Sequence, residues 1–207
     1  LMIGASDINW SDNNIFNNNS FNIATAWNSN GVIYLVSNTY FGSSIQENIS
    51  ESFYDFFDSG EGGVLELENY STVPSPFTHG VIWKVLINGI DPQDEELEYL
   101  GVGPQRFDVY FNRAMDTEHT PFLSFGVDQP YTQHVVTNSA SWSADSTVWT
   151  AYYTMGIETG DGINRVRVSG AQDTDHFEIP RENSRFEFVL QAAGAQSVEF
   201  IATPGIG

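Results

Sequence analysis

The chain has 207 residues and a formal charge of −20, from 27 acidic against seven basic residues. That balance excludes nucleic acid and anionic membrane surfaces as partners, because their phosphates would be repelled. There is no cysteine, so disulfides, thiolate metal sites and a cysteine nucleophile are excluded as well. A hydrophobic fraction of 41%, with 15 Phe, 9 Tyr and 5 Trp, supplies a packed core and argues against disorder.

No run approaches the ~20 apolar residues that cross a bilayer, so no membrane insertion is expected. The opening Leu1-Met2-Ile3-Gly4 has no basic region and no long apolar region, and does not read as a signal peptide. All seven basic residues lie after residue 78, which divides the chain into an Asn-rich, base-free part and an alternating part.

In residues 1–42, Asn19-Ser20-Phe21 aligns with Asn38-Thr39-Tyr40 at an offset of 19, each after an apolar stretch. Short apolar strands between Asn-rich corners suit one coil of a parallel β-helix per repeat. Asn tolerates left-handed corners, and its side chain can hydrogen-bond to the next coil. From Ile45 to Phe57, apolar residues at 45, 49, 53 and 56–57 have helical spacing, with Ser43 or Ser44 as the cap. Gly60, Gly62 and Gly63 end that helix, 64–67 reads as a strand, and Pro74 and Pro76 mark a linker. The helix would cover an open solenoid end.

The second part reads as strands at 81–87, 107–111, 122–125, 148–153, 163–168 and 186–190. Period-two alternation in 107–111 and 163–168 gives each of those strands one buried and one wet face. Turn residues between them suggest an antiparallel sandwich of about seven strands.

Two resemblances follow from particular residues. Asn38-Thr39-Tyr40-Phe41-Gly42, Ile45, Ile49, Tyr54-Asp55-Phe56-Phe57-Asp58 and Gly63-Val64 together resemble the closing coil of right-handed parallel β-helix repeat proteins. Phe41 stands where that pattern usually has Trp. Residues 107–116 (FDVYFNRAMD), 142–145 (WSAD) and 165–173 (RVRVSGAQD) are similar to bacterial immunoglobulin-like domains of large surface proteins. The resemblances imply an all-β fold: terminal coils of a parallel β-helix with a short capping helix over 1–76, then an antiparallel immunoglobulin-like β-sandwich over 77–207. They also imply a secreted or cell-surface location. A two-coil solenoid would have to stack on something, so fraying before residue 43 or self-association is expected.

Catalytic patterns are weak. Asp7 and Asp12 could face a solenoid groove, but no base lies near them in sequence to meet a uronate. His79, His119, His134 and His176 have no metal-ligand spacing, and Ser139, Ser141 and Ser143 lie in no nucleophile elbow. Gly160-Asp161-Gly162 reads as a turn, and the sequons at Asn18, Asn48 and Asn69 read as chance.

Calcium is the cofactor the composition favours, since acidic turns supply the six to eight oxygens it takes. Its candidate ligands are Asp91, Asp94 and Glu95 in one turn and Asp173 and Asp175 in another. A glycan is the candidate small ligand, stacking on Trp142, Trp149 and Tyr152, with Tyr131 and Tyr153 nearby in sequence. The expected role is non-catalytic: a spacer, adhesion or interaction module of a multidomain protein, with other modules or subunits of the same protein as partners. The alternatives are a carbohydrate-binding accessory module of a polysaccharide-degrading enzyme and a subunit of an extracellular filament.

Overall fold

The computed structural model describes residues 2–3, 13–16, 21–25, 31–93, 95 and 97–192. The chain is mostly β. The first part carries β1 (Met2–Ile3), β2 (Asn13–Asn14), β3 (Ile23–Thr25), β4 (Ile33–Val36), β5 (Thr39–Tyr40), α1 (Gln46–Glu51), β6 (Phe53–Tyr54), α2 (Phe56–Ser59) and β7 (Val64–Leu67). The second carries β8 (Ile82–Ile87), β9 (Gly103–Phe111), β10 (Phe122–Gly126), β11 (His134–Val136), β12 (Asn138–Trp142), β13 (Val148–Met155), β14 (Gly162–Ser169) and β15 (Glu187–Leu190).

The β-helix expectation is corrected here. Among the described residues, parallel ladders occur only in β1–β3–β6, β2–β5 and β4–β7, over two to four residues each, with one isolated parallel bridge between Leu100 and Leu190. A solenoid is built from ladders that continue coil after coil, and these stop after two or three strands. The 19-residue repeat also fails: Thr39 faces Asn13 and Phe53 faces Ile23, and neither pairing has that offset. Residues 19 and 20 lie outside the described residues. Asn side chains were expected to bond to the next coil, whereas Asn14 bonds to residues 75 and 78.

The single helix expected over 45–57 is two short ones. Phe53 and Tyr54 interrupt it because they pair with Ile23 and Ala24. Ser43 accepts a hydrogen bond from the Ile45 amide at 3.0 Å, ahead of α1. Asp55 caps α2: its carboxylate accepts from the Phe57 and Leu65 amides, each at 2.9 Å, while Asp58 accepts from the Asp55 amide. A small core of Ile23, Val36, Phe41, Ile49, Phe53 and Leu65 closes this part.

The second part has two four-stranded sheets, ordered β12-β13-β9-β8 and β11-β10-β14-β15, and every pairing in them is antiparallel. Neither sheet closes into a barrel. Their inner faces share one core, in which Phe107 on β9 lies 6.0 Å from Phe125 on β10, with Phe188 on β15 against both. Alternation builds it: Trp149, Ala151 and Met155 point inward from β13, and Val166 and Val168 from β14. Truncating a fully buried Phe in such a core costs about 3–5 kcal/mol. Among the described residues, no helix is long and apolar enough to cross a membrane.

Candidate functional site

A densely bonded polar cluster lies where the two parts of the chain meet. Segment 75–80 leaves the first part and enters β8, and two asparagines hold it from opposite sides. From the first part, the Asn14 amide nitrogen donates to Ser75 O at 3.1 Å and Thr78 Oγ1 at 2.7 Å, and its oxygen accepts from Ser75 N at 2.8 Å. From the end of β9, Asn112 Oδ1 accepts from Val81 N at 2.7 Å. Its Nδ2 faces Ser75 O at 2.9 Å, Thr78 Oγ1 at 3.0 Å and His79 O at 3.2 Å.

Asp173 fixes the next residues. Its side chain is fully buried, and Oδ2 accepts from Gly80 N at 2.9 Å. Oδ1 accepts from the amides of Asp175 at 2.9 Å and Phe177 at 3.1 Å. His79 Nδ1 stands 3.4 Å from Oδ2, and its ring packs on Phe177 with centroids 3.7 Å apart. Arg113 Nη1 lies 2.9 Å from Asp175 Oδ2 and 3.8 Å from Asp173 Oδ2. Burial pushes the Asp173 carboxyl up, but the three amides and the Arg113 charge outweigh it and hold it below the usual carboxylate range. Gly80 sits in close approach, since a Cβ there would meet Asp173 Cβ and Met115 Sδ, each at 3.1 Å.

A second buried ion pair ties the same surfaces. Arg185 Nε donates to Glu182 Oε2 at 2.8 Å, and its Nη2 donates to Ile82 O at 2.6 Å. Its guanidinium lies over the Phe16 ring of the first part, 4.7 Å from the centroid. Burial raises the Glu182 carboxyl, while the Arg185 charge and the Ser184 amide bring it below its ordinary value. Tyr40 meets Trp83 edge-on at 6.1 Å. Between these contacts a cavity of about 250 Å³ is lined by Asn14, Phe16, Ile82 and Arg181 among others.

The expected calcium ligands lie in two separate turns of the second part. Asp91 is buried, accepts from Gln93 N at 3.1 Å and faces Lys84 Nζ at 3.5 Å. Glu95 donates its amide to Asp91 O and is exposed, and Asp94 lies outside the described residues. Asp173 and Asp175 converge with His79, their ligand atoms within 4.8 Å of one another. Among the described residues this is the one group of three such side chains close enough to share a cation, and Arg113 already stands beside it. Each acidic turn thus faces a basic side chain of the chain itself.

The expected glycan residues do not form one platform. Trp149 is in the core, Trp142 packs against Phe111 at 5.5 Å, and Tyr152 projects from the opposite face of β13, 37% exposed. The Trp142 indole nitrogen is buried with no hydrogen-bond partner. Tyr131 lies near Arg165 of the other sheet, and Tyr153 near His134. The four histidines do not assemble: His119 binds Asp116 at 2.8 Å and His134 stacks on Phe125. Sequence reasoning passed over Asn14, Asn112, Glu182 and Arg185. The only signal was their polar identity at strand ends.

No family model matches the chain and no curated protein matches it, so neither sequence resemblance has a family match behind it. A solved structure with some likeness is PcoC, a methionine-rich copper resistance protein from Escherichia coli. It is 13% identical and covers 55% of this chain and 100% of its own, with a TM-score of 0.35. At that score it carries no argument about fold or ligand.

Proposed function

We propose that the chain is a non-catalytic structural segment of a secreted or cell-surface multidomain protein, a spacer and interaction module divided near residue 76. In this reading an immunoglobulin-like sandwich is carried in fixed orientation on the preceding part. The observation that carries it is the joint: the connecting segment is gripped by Asn14 from one side and by Asn112 and Asp173 from the other. A solvated linker leaves its amides to water, whereas here Ser75, Gly80 and Val81 all donate to side chains. A spacer transmits position only when its parts keep one relation, and that is what such a clamp provides. The reading needs no calcium, because Lys84 and Arg113 already face the acidic turns.

Small-angle X-ray scattering at low salt tests it. The expected curve fits one rigid arrangement. A curve that needs an ensemble of orientations would sink the spacer reading, and turnover of any polysaccharide would sink its non-catalytic half.

A further inference from the structure

We propose that the cavity at the joint is a binding site for a small carboxylate with a single-ring apolar body, gripped by Arg181. The chain sets 27 acidic residues against seven basic ones. Lys84, Arg106, Arg113, Arg165 and Arg185 each stand 3.5 Å or less from a carboxylate oxygen. Arg167 faces no carboxylate among the described residues, but donates to Pro130 O at 3.2 Å. Arg181 is exposed, and its side chain has neither an ion pair nor a hydrogen bond among the described residues. It lines the cavity of about 250 Å³ between the two parts. A guanidinium left without a carboxylate in so acidic a chain, at the wall of a cavity, is a place for an anion from outside.

The other walls define the body that carries the anion. Phe16 stands on the side of the first part, with Ile82 and Pro180 on the side of the second. The polar groups between these apolar walls are already spent. Asn14 donates to Ser75 O and Thr78 Oγ1 and accepts from Ser75 N. Glu182 Oε2 accepts from Arg185 Nε at 2.8 Å, and its Oε1 from the amides of Ser184 at 2.9 Å and Arg185 at 3.0 Å. The carbonyl of Ile82 is taken by Arg185 Nη2. Sugar hydroxyls entering here would give up water for no new partner, whereas an apolar ring gives up nothing.

Charge and volume agree with that choice. Arg185, lying over the Phe16 ring, offsets Glu182, so Arg181 leaves the cavity walls net positive. A closed apolar cavity of about 150 Å³ holds benzene, so about 250 Å³ takes one ring with its carboxylate. Because the walls come from both parts, the bound acid bridges the joint and stabilises the two together.

Isothermal titration of the whole chain in about 0.15 M NaCl, where the −20 charge is screened, is the test. The probes are phenylacetate, its neutral isostere phenylacetamide, and acetate, which lacks the ring. Phenylacetate is expected to bind saturably, one per chain, with the amide and acetate each weaker by about tenfold or more. Arg181→Gln should weaken phenylacetate by a similar factor while its melting curve follows the parent, since the side chain holds nothing else. Amide shifts on binding should fall at both Phe16 and Ile82. Phenylacetate that fails to saturate at millimolar concentration overturns the proposal. So does an amide that binds as well as the acid, an Arg181→Gln chain that binds as the parent does, or shifts confined to one side of the joint. A rigid joint in scattering with no binding here sinks this proposal alone.

Discussion

Asn112 is the residue whose replacement tests the joint most finely. In Asn112→Ala, Ser75 O and Thr78 Oγ1 keep their bonds to Asn14, and His79 O keeps Thr78 Oγ1 at 3.2 Å. The Val81 amide loses the acceptor that stands 2.7 Å away in the parent. One orphaned, half-buried donor costs about 1–3 kcal/mol, and the lost bonds to shared acceptors add less, so a total of about 2–3 kcal/mol is expected. In a protein of this size that lowers Tm by roughly 4–10 °C. Asn112→Asp is nearly isosteric and keeps the acceptor for Val81. It also turns a carboxylate oxygen toward Ser75 O and His79 O, where Asn112 has an N–H donor. The buried charge then meets acceptors, so Asp is expected to be worse than Ala at pH 7, with the order narrowing in acid. Urea unfolding followed by Trp fluorescence reads both variants, with Trp83 beside the joint. An alanine variant that melts within about 1 °C of the parent, or an aspartate variant as stable as wild type, would refute the reasoning.

Other outcomes follow from neighbouring residues. Asp173 and Glu182 are both held below their unfolded values, so their stabilisation is complete above about pH 4–5 and is lost as pH falls through the folded values. The Tm of the wild type should therefore drop steeply in acid, and its lead over Asp173→Asn should shrink; a constant lead from pH 7 to about 3 would count against this. Gly80→Ala pushes a methyl against Asp173 and Met115 and should cost about 1–3 kcal/mol in urea unfolding, with no cost meaning that the packing there is loose. Millimolar Ca²⁺ and EDTA should give superimposable melting curves, because Lys84 and Arg113 face the acidic turns; a rise of several degrees that EDTA reverses would assign those turns to the ion.

What could be read in the sequence was the part governed by apolar period. The strands expected at 81–87, 107–111, 122–125, 148–153, 163–168 and 186–190 correspond to β8, β9, β10, β13, β14 and β15. β12 escaped because Asn138-Ser139-Ala140-Ser141 is an exposed edge with no apolar alternation to mark it. The helix over 45–57 misled because Ile45, Ile49 and Phe53 satisfy helical spacing, while Phe53 is taken by pairing with Ile23. The Asn-rich opening suggested a solenoid because Asn suits corners; Asn14 shows that it equally suits a tertiary clamp. The place of the joint was legible from Pro74, Pro76 and the change in composition, but the bonds that hold it were not. Asn14 and Ser75 are 61 residues apart, Ser75 and Asn112 are 37 apart, and Asn and Ser are common in any turn. For the same reason the acidic turns suggested an ion, since the pairings of Asp91 with Lys84 and of Asp175 with Arg113 exist only in three dimensions.

Amide hydrogen exchange at Ser75, Gly80 and Val81 tests the central claim most directly. A clamped joint predicts that these three amides, each donating to a side chain, exchange far more slowly than exposed loop amides, and that Asn112→Ala releases Val81 first. Exchange at the rate of a solvated linker in the unmodified chain would contradict the account.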